Sequence, residues 1–201
     1  MNIYLISRTE AKLQAAATEI ASKYGVETKY YAADLAAAGA EPMDNSCWYG
    51  LRSNISGMHI GVLINNAGMS YDHPEYFHQL DQSIVENMCA LNNAALIKMT
   101  YTVLPGMVQR GRGAIVNMSS GSATFFRAAP LLSLYAASKA FVDKFSAGLA
   151  EEYRSKGIDV QVRPAYSHGV CCPWCIMQWC HRSGIPRWPD LLPSTSCTRC
   201  T

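Results

Sequence analysis

Gly113-Ala114-Ile115-Val116-Asn117-Met118-Ser119-Ser120 is followed, after a loop, by Tyr135-Ala136-Ala137-Ser138-Lys139. The first run, apolar and short, predicts a buried strand over 113–118 with a loop over 119–130. The second lies inside a long helical pattern over 132–155. Residues four apart on a helix share a face, so Tyr135 and Lys139 point the same way. A phenol is a poor acid–base group near neutrality, and an adjacent ammonium favours its ionised form. The pair therefore has chemical meaning, although Tyr-x-x-x-Lys alone also describes a half-buried tyrosine one turn before a solvated lysine.

Working outward, strands and helices alternate over short connections. Strands are expected at 2–6, 27–32, 60–64, 113–118 and 158–162. Ser7-Arg8-Thr9-Glu10 reads as a capping box opening a helix that ends at Gly25. A helix is expected around 47–54, and 81–108 has helical periodicity with a bend near Asn92-Asn93. This alternation predicts an α/β fold: a doubly wound parallel sheet, Rossmann-like, covered on both faces. Ligands bind beyond the carboxyl ends of such strands. Arg8, Asp34, the Asn65-Asn66-Ala67-Gly68 turn and Ser119-Ser120 all fall on that one edge.

Composition narrows the function. The 201 residues suffice for one α/β domain; 49% are hydrophobic and 16% charged, as in a globular chain. A net charge of +2 gives no reason to expect a nucleic-acid partner. No stretch reads as a membrane span or signal peptide. Of the eight cysteines only Cys47 and Cys89 precede residue 170. The first part thus has the composition of a reduced, intracellular protein.

The order and separation of NNAG at 65–68, NMSS at 117–120, YAASK at 135–139 and RPAY at 163–166 resemble the short-chain dehydrogenase/reductase family. The resemblance covers about residues 2–166. Segments 68–77, 98–107 and 151–161 are similar to its very-long-chain 3-oxoacyl-CoA reductase / 17β-hydroxysteroid dehydrogenase branch. The resemblance implies an NADPH-dependent carbonyl reductase acting on a 3-oxoacyl-CoA or a steroid ketone. Tyr135 would protonate the carbonyl oxygen, Lys139 would tune that phenol and bond the nicotinamide ribose, and Ser120 would hold the carbonyl oxygen. Asn92 would anchor a water relay; its bland alternative is a helix-bending amide. Counting back from the tyrosine selects Ser122 in place of Ser120, but loops absorb insertions more readily than strand ends. Asn65, Asn66, Ala67 and Gly68 would lie along the adenosine, Asp34 at the adenine edge, and Arg8 at a 2′-phosphate, which favours NADP over NAD. Branch members are anchored in the endoplasmic reticulum membrane; this chain carries no such anchor and would be cytosolic if made alone. A homo-oligomer would form through helices 81–108 and 132–155. A catalytically silent binding module paired with a sister subunit is the second reading.

Two departures from the family pattern carry their own expectations. The first strand and its Gly-rich turn are missing, as is the last strand, so the fold is expected to be incomplete. The vacant centre would expose two rows of unpaired backbone groups, weakening both folding and cofactor binding. After a reductase domain over 1–166, residues 167–201 form a Cys-, Trp- and Pro-rich tail expected to be irregular, in the manner of a frame shift or an alternative terminal exon. No metal site is assigned. The competing reading of the tail is four-thiolate zinc at Cys172, Cys175, Cys197 and Cys200, with Cys171, Cys180 and His181 nearby.

Overall fold

The computed structural model describes residues 2–40, 42, 46–124, 127–165 and 175–179. Strand β1 (Asn2–Ser7) leads to helix α1 (Glu10–Tyr24), β2 (Thr28–Ala32), α2 (Leu35–Ala40), α3 (Ser46–Ile55) and β3 (Ile60–Asn65). Helix α4 (Gln82–Cys89) passes through a π-helical turn at Ala90–Ala95 into α5 (Leu96–Arg110). Then come β4 (Gly113–Ser120), α6 (Gly121–Thr124), α7 (Ser133–Tyr153), β5 (Ile158–Ala165) and β6 (Cys175–Trp179).

The strands form one sheet in the order β2-β1-β6-β3-β4-β5. β1 and β2 pair in parallel, as do β3 with β4 and β4 with β5. Alternating side chains of β1 serve both faces, as a strand's period of two requires. Leu5 packs with Leu13 and Ala17 of α1. Tyr4 and Ile6 enter the larger core with Trp48, Met99 and Met107. This is the doubly wound arrangement, and it places the carboxyl ends of β1 to β4 along one rim.

Three local expectations are corrected. Ser7 is not a helix cap: it is the last residue of β1, and Thr9 takes the N-cap position without a side-chain cap hydrogen bond. Ser119 and Ser120 belong to β4, paired with Pro164 and Ala165 of the edge strand β5. The centre of the sheet is not vacant. β6 lies between β1 and β3, antiparallel to both, with Ile176 opposite Leu5 and Ile64. The expectation of an irregular tail therefore fails over 175–179, because the backbone groups of β1 and β3 find partners there. Against β3 the register shifts between Ile60 and Val62. The thiolate set read from the tail's cysteines lies outside the described residues.

Candidate active site

The site forms where the π-helical turn, the loop after β3, the end of β4 and the start of α7 meet. Helix α7 brings Tyr135 and Lys139 to one face: the Lys139 ammonium lies 6.0 Å from the centre of the Tyr135 ring. Lys139 is buried, at 6% exposure. Its Nζ donates to the Met118 carbonyl at 3.0 Å, and its own carbonyl accepts from Ser119 Oγ at 3.2 Å. Both contacts tie α7 to the end of β4, so the cation is held rather than solvated.

Asn92 sits in the π-helical turn, a helix irregularity that often marks functional positions. Its Oδ1 accepts from Met69 N at 2.8 Å and its Nδ2 donates to Met69 O at 3.0 Å. Nδ2 also donates to Ser138 Oγ at 3.0 Å, and that hydroxyl donates to the Tyr135 carbonyl at 2.7 Å. A continuous chain of bonds thus runs from the loop after β3 to the backbone of Tyr135. Gly68 closes the group. A Cβ there would lie 3.2 Å from Lys139 Nζ and 3.3 Å from Asn92 Oδ1.

Ser120 ends β4, buried, and its Oγ accepts from Ser122 N at 3.3 Å and Ser122 Oγ at 3.0 Å. The two serines between which the sequence left a choice are thus hydrogen-bonded neighbours. Asn65 is 5% exposed, and its Nδ2 donates to Asn117 Oδ1 at 2.8 Å and Thr100 Oγ1 at 3.1 Å. Asn117 Nδ2 in turn donates to Ser146 Oγ at 2.8 Å. This buried ladder joins α5, β3, β4 and α7 beneath the rim. Sequence reasoning missed Asn117, Thr100 and Ser146 as its members.

The other rim residues line a cavity of about 310 Å³ that includes Ser7, Arg8, Lys12, Asp34, Ala67 and Gly68. Asp34 Oδ1 accepts from Ala36 N at 2.9 Å and from Ala37 N at 3.4 Å, capping α2, whose start forms one wall. The far end of α2 is held by the buried Lys98, whose Nζ donates to Ala38 O at 2.6 Å and Gly39 O at 2.9 Å. Asn66 is half-buried in the turn after β3. Among the described residues no cluster of His, Cys, Asp and Glu could hold a metal ion, and no helix is long and apolar enough to cross a membrane.

Residues 1–167 match the family model for short chain dehydrogenase. The chain belongs to the short-chain dehydrogenase family. It is 48% identical over 170 residues to the very-long-chain 3-oxoacyl-CoA reductase of Anas platyrhynchos, covering 83% of this chain and 52% of that one. It is 44% identical over 161 residues to the human inactive hydroxysteroid dehydrogenase-like protein 1, covering 80% of this chain and 46% of that one. Among solved structures, the short-chain dehydrogenase from Sphingobium yanoikuyae in complex with NADPH superposes with a TM-score of 0.68 at 33% identity. That match covers 80% of this chain and 59% of the other. The chain spans about half the length of the curated relatives it matches.

Proposed function

We propose that this chain carries the catalytic rim of an NADPH-dependent carbonyl reductase of the very-long-chain 3-oxoacyl-CoA reductase branch, with a 3-oxoacyl-CoA as substrate and a steroid ketone as the other substrate class. The observation that carries the reading is the buried Lys139 ammonium beside the Tyr135 ring on one helix face. The residues present fit a dinucleotide: Gly68 leaves a cradle that a Cβ would crowd, and the cavity beside it presents Arg8 and Asp34. Asn65 and Asn66 shape the turn, Ala67 and Gly68 offer it a close backbone approach, and Tyr135 and Lys139 bound it. NADPH supplies a hydride to the carbonyl carbon when bound.

The chain's own groups then have separable tasks. Tyr135 gives its phenolic proton to the carbonyl oxygen as charge develops there. Lys139 stabilises the phenolate left behind, because an ammonium nearby favours the charged form. Ser120, supported by the Ser122 hydroxyl, donates to the same oxygen. Asn92 holds the loop and the start of α7 in register and anchors the water path that restores the proton. Association with the endoplasmic reticulum membrane and pairing through the helices over 81–108 (α4 and α5) and 132–155 (α7) belong to this reading; fractionation and sedimentation test them.

The deciding experiment is NADPH oxidation by the purified chain with a 3-oxoacyl-CoA in one arm and a steroid ketone in the other. Turnover lost in Tyr135→Phe supports the reading; equal turnover in wild type and Tyr135→Phe sinks it. A second reading is favoured by the reversed direction of β6 at the centre of the sheet: a silent module that binds nucleotide without reducing substrate. Nucleotide binding without oxidation of NADPH identifies that case.

A further inference from the structure

Tyr135 lies in the first turn of α7, the third residue of that helix. The opening N–H groups of a helix have no partner within it, so the first turn holds its shape where something outside caps it. The N-cap residue of α7 is Leu132, whose side chain offers no acceptor, and it makes no side-chain cap hydrogen bond. Helix α4, by contrast, is capped in the usual way, with Asp81 Oδ1 accepting from Ser83 N at 2.7 Å. For α7 the acceptor comes from another loop. Tyr71 Oη accepts from Leu134 N at 3.1 Å, the kind of amide that a cap serine or aspartate takes. Tyr71 is half-buried and lies 63 positions before Leu134 in the chain. Further along the same loop, Glu75 N donates to the Leu131 carbonyl at 3.0 Å. Leu131 stands in the left-handed region at φ 64°, the only non-glycine residue to do so among the described residues. That conformation is unfavourable for a leucine and persists where the surroundings over-determine it.

We propose that Tyr71 is a positioning residue for Tyr135: its hydroxyl supplies the cap that α7 lacks, and the Glu75–Leu131 bond fixes the turn by which the chain enters that helix. The inference rests on the reductase reading above and deepens it by naming a residue that sets the acid without touching substrate. Lys139 is anchored by Met118 and Ser119 at the end of β4, independently of the first turn. Fraying of that turn therefore moves the phenol while the cation stays in place, and the pairing on which proton transfer depends is lost. Asn92 ties the same loop to Ser138 through Met69. The loop thus grips α7 and its approach at Leu131, Leu134 and Ser138.

The test compares the purified 201-residue chain with Tyr71→Phe, which removes one oxygen and keeps the ring. With NADPH and a 3-oxoacyl-CoA or a steroid ketone, kcat is expected to fall about threefold to tenfold while KM stays within about twofold. The melting temperature is expected to fall by about 2–4 °C, as loss of one helix cap implies. With isotope-labelled tyrosine, the NMR ring resonance of Tyr135, identified by its loss in Tyr135→Phe, is expected to shift in Tyr71→Phe. Lower stability alone does not move that resonance. Leu131→Val is expected to lower kcat more than Leu131→Gly, because glycine accepts positive φ and a β-branched side chain resists it. With an active wild type, an unchanged kcat or an unmoved resonance in Tyr71→Phe overturns the proposal. A raised KM with kcat unchanged does so too, since it makes Tyr71 a ligand contact. If the wild-type chain turns over neither substrate, the reductase reading fails, and the resonance decides the positioning role alone: a shift in Tyr71→Phe upholds it, and none overturns it.

Discussion

Asn92 holds Met69 by both of that residue's backbone groups, accepting from its N–H and donating to its carbonyl. The amide behaves as a one-residue strand partner for the loop after β3, with neighbouring Gly68 pressed against Lys139. Loop, helix irregularity and ammonium are therefore one mechanical unit, and each can be tested through its neighbours.

Gly68→Ala places a methyl 3.2 Å from Lys139 Nζ and 3.3 Å from Asn92 Oδ1. The lysine tip can give way, so stability is expected to change by less than about 1 kcal/mol. Displacing the cation by a few tenths of an ångström should lower carbonyl reduction by up to about tenfold, less than the ~100-fold that a 1 Å misplacement costs. Thermal melts and NADPH oxidation on the same sample check the split. A large drop in melting temperature would assign Gly68 to packing instead.

Asn117→Ala breaks the buried ladder at its middle, removing the acceptor of Asn65 and the donor to Ser146. The expected loss is about 1–3 kcal/mol, because Thr100 still serves Asn65 and Ser146 still donates to the Val142 carbonyl. Asn117→Asp should be worse than Ala, since it buries a charge and presents an oxygen to the Ser146 oxygen. Urea unfolding of both variants gives the ranking, and the reverse order would refute this account.

Helix α2 approaches the π-helical turn so closely that a Cβ on Gly39 would collide with the Ala90 carbonyl. Backbone cannot yield as a side chain can. Gly39→Ala is expected to cost at least about 1–3 kcal/mol, and to loosen the cavity wall that α2 provides. A variant as stable as wild type would mean that α2 can be repositioned freely.

Burial, and secondarily the neighbouring Tyr31 phenol, push the Tyr4 hydroxyl up to about 12. The folded state thus prefers the neutral phenol more strongly than the unfolded chain, whose phenols titrate near 10. This contribution is fully present below pH 10 and is lost as pH rises from about 10 towards 12. Denaturant midpoints between pH 9 and 11.5 should fall more steeply for wild type than for Tyr4→Phe. Parallel slopes would remove Tyr4 as the cause.

Much of this was legible because it is written locally. The four-residue spacing of Tyr135 and Lys139 sets their common face, Gly25 ends α1 in a left-handed turn at φ 62°, and the Asn92-Asn93 pair marks the irregularity between α4 and α5. Ser7 was misread for a physical reason: Ser-x-x-Glu signals a cap only if the strand has already ended, and β1 runs one residue further than its apolar run. Asn117 could not be given its role from spacing, since its partners Asn65 and Ser146 lie 52 and 29 residues away on other elements. β6 was invisible for a similar reason. Cys-Ile-Met-Gln-Trp has neither an alternating pattern nor a bounding hairpin turn, and its place is decided by the open edges of β1 and β3.

That central strand has a consequence for the order of assembly. Among the described strands, β1 with β2 and β3 with β4 and β5 are two separate ribbons whose backbones are stitched together by Cys175–Trp179. Among the described strands those five residues come last in sequence, so the two ribbons keep open edges until β6 is in place. Pairing Asn2 with Trp179 joins positions 177 apart in sequence, which makes closure of the sheet a slow event.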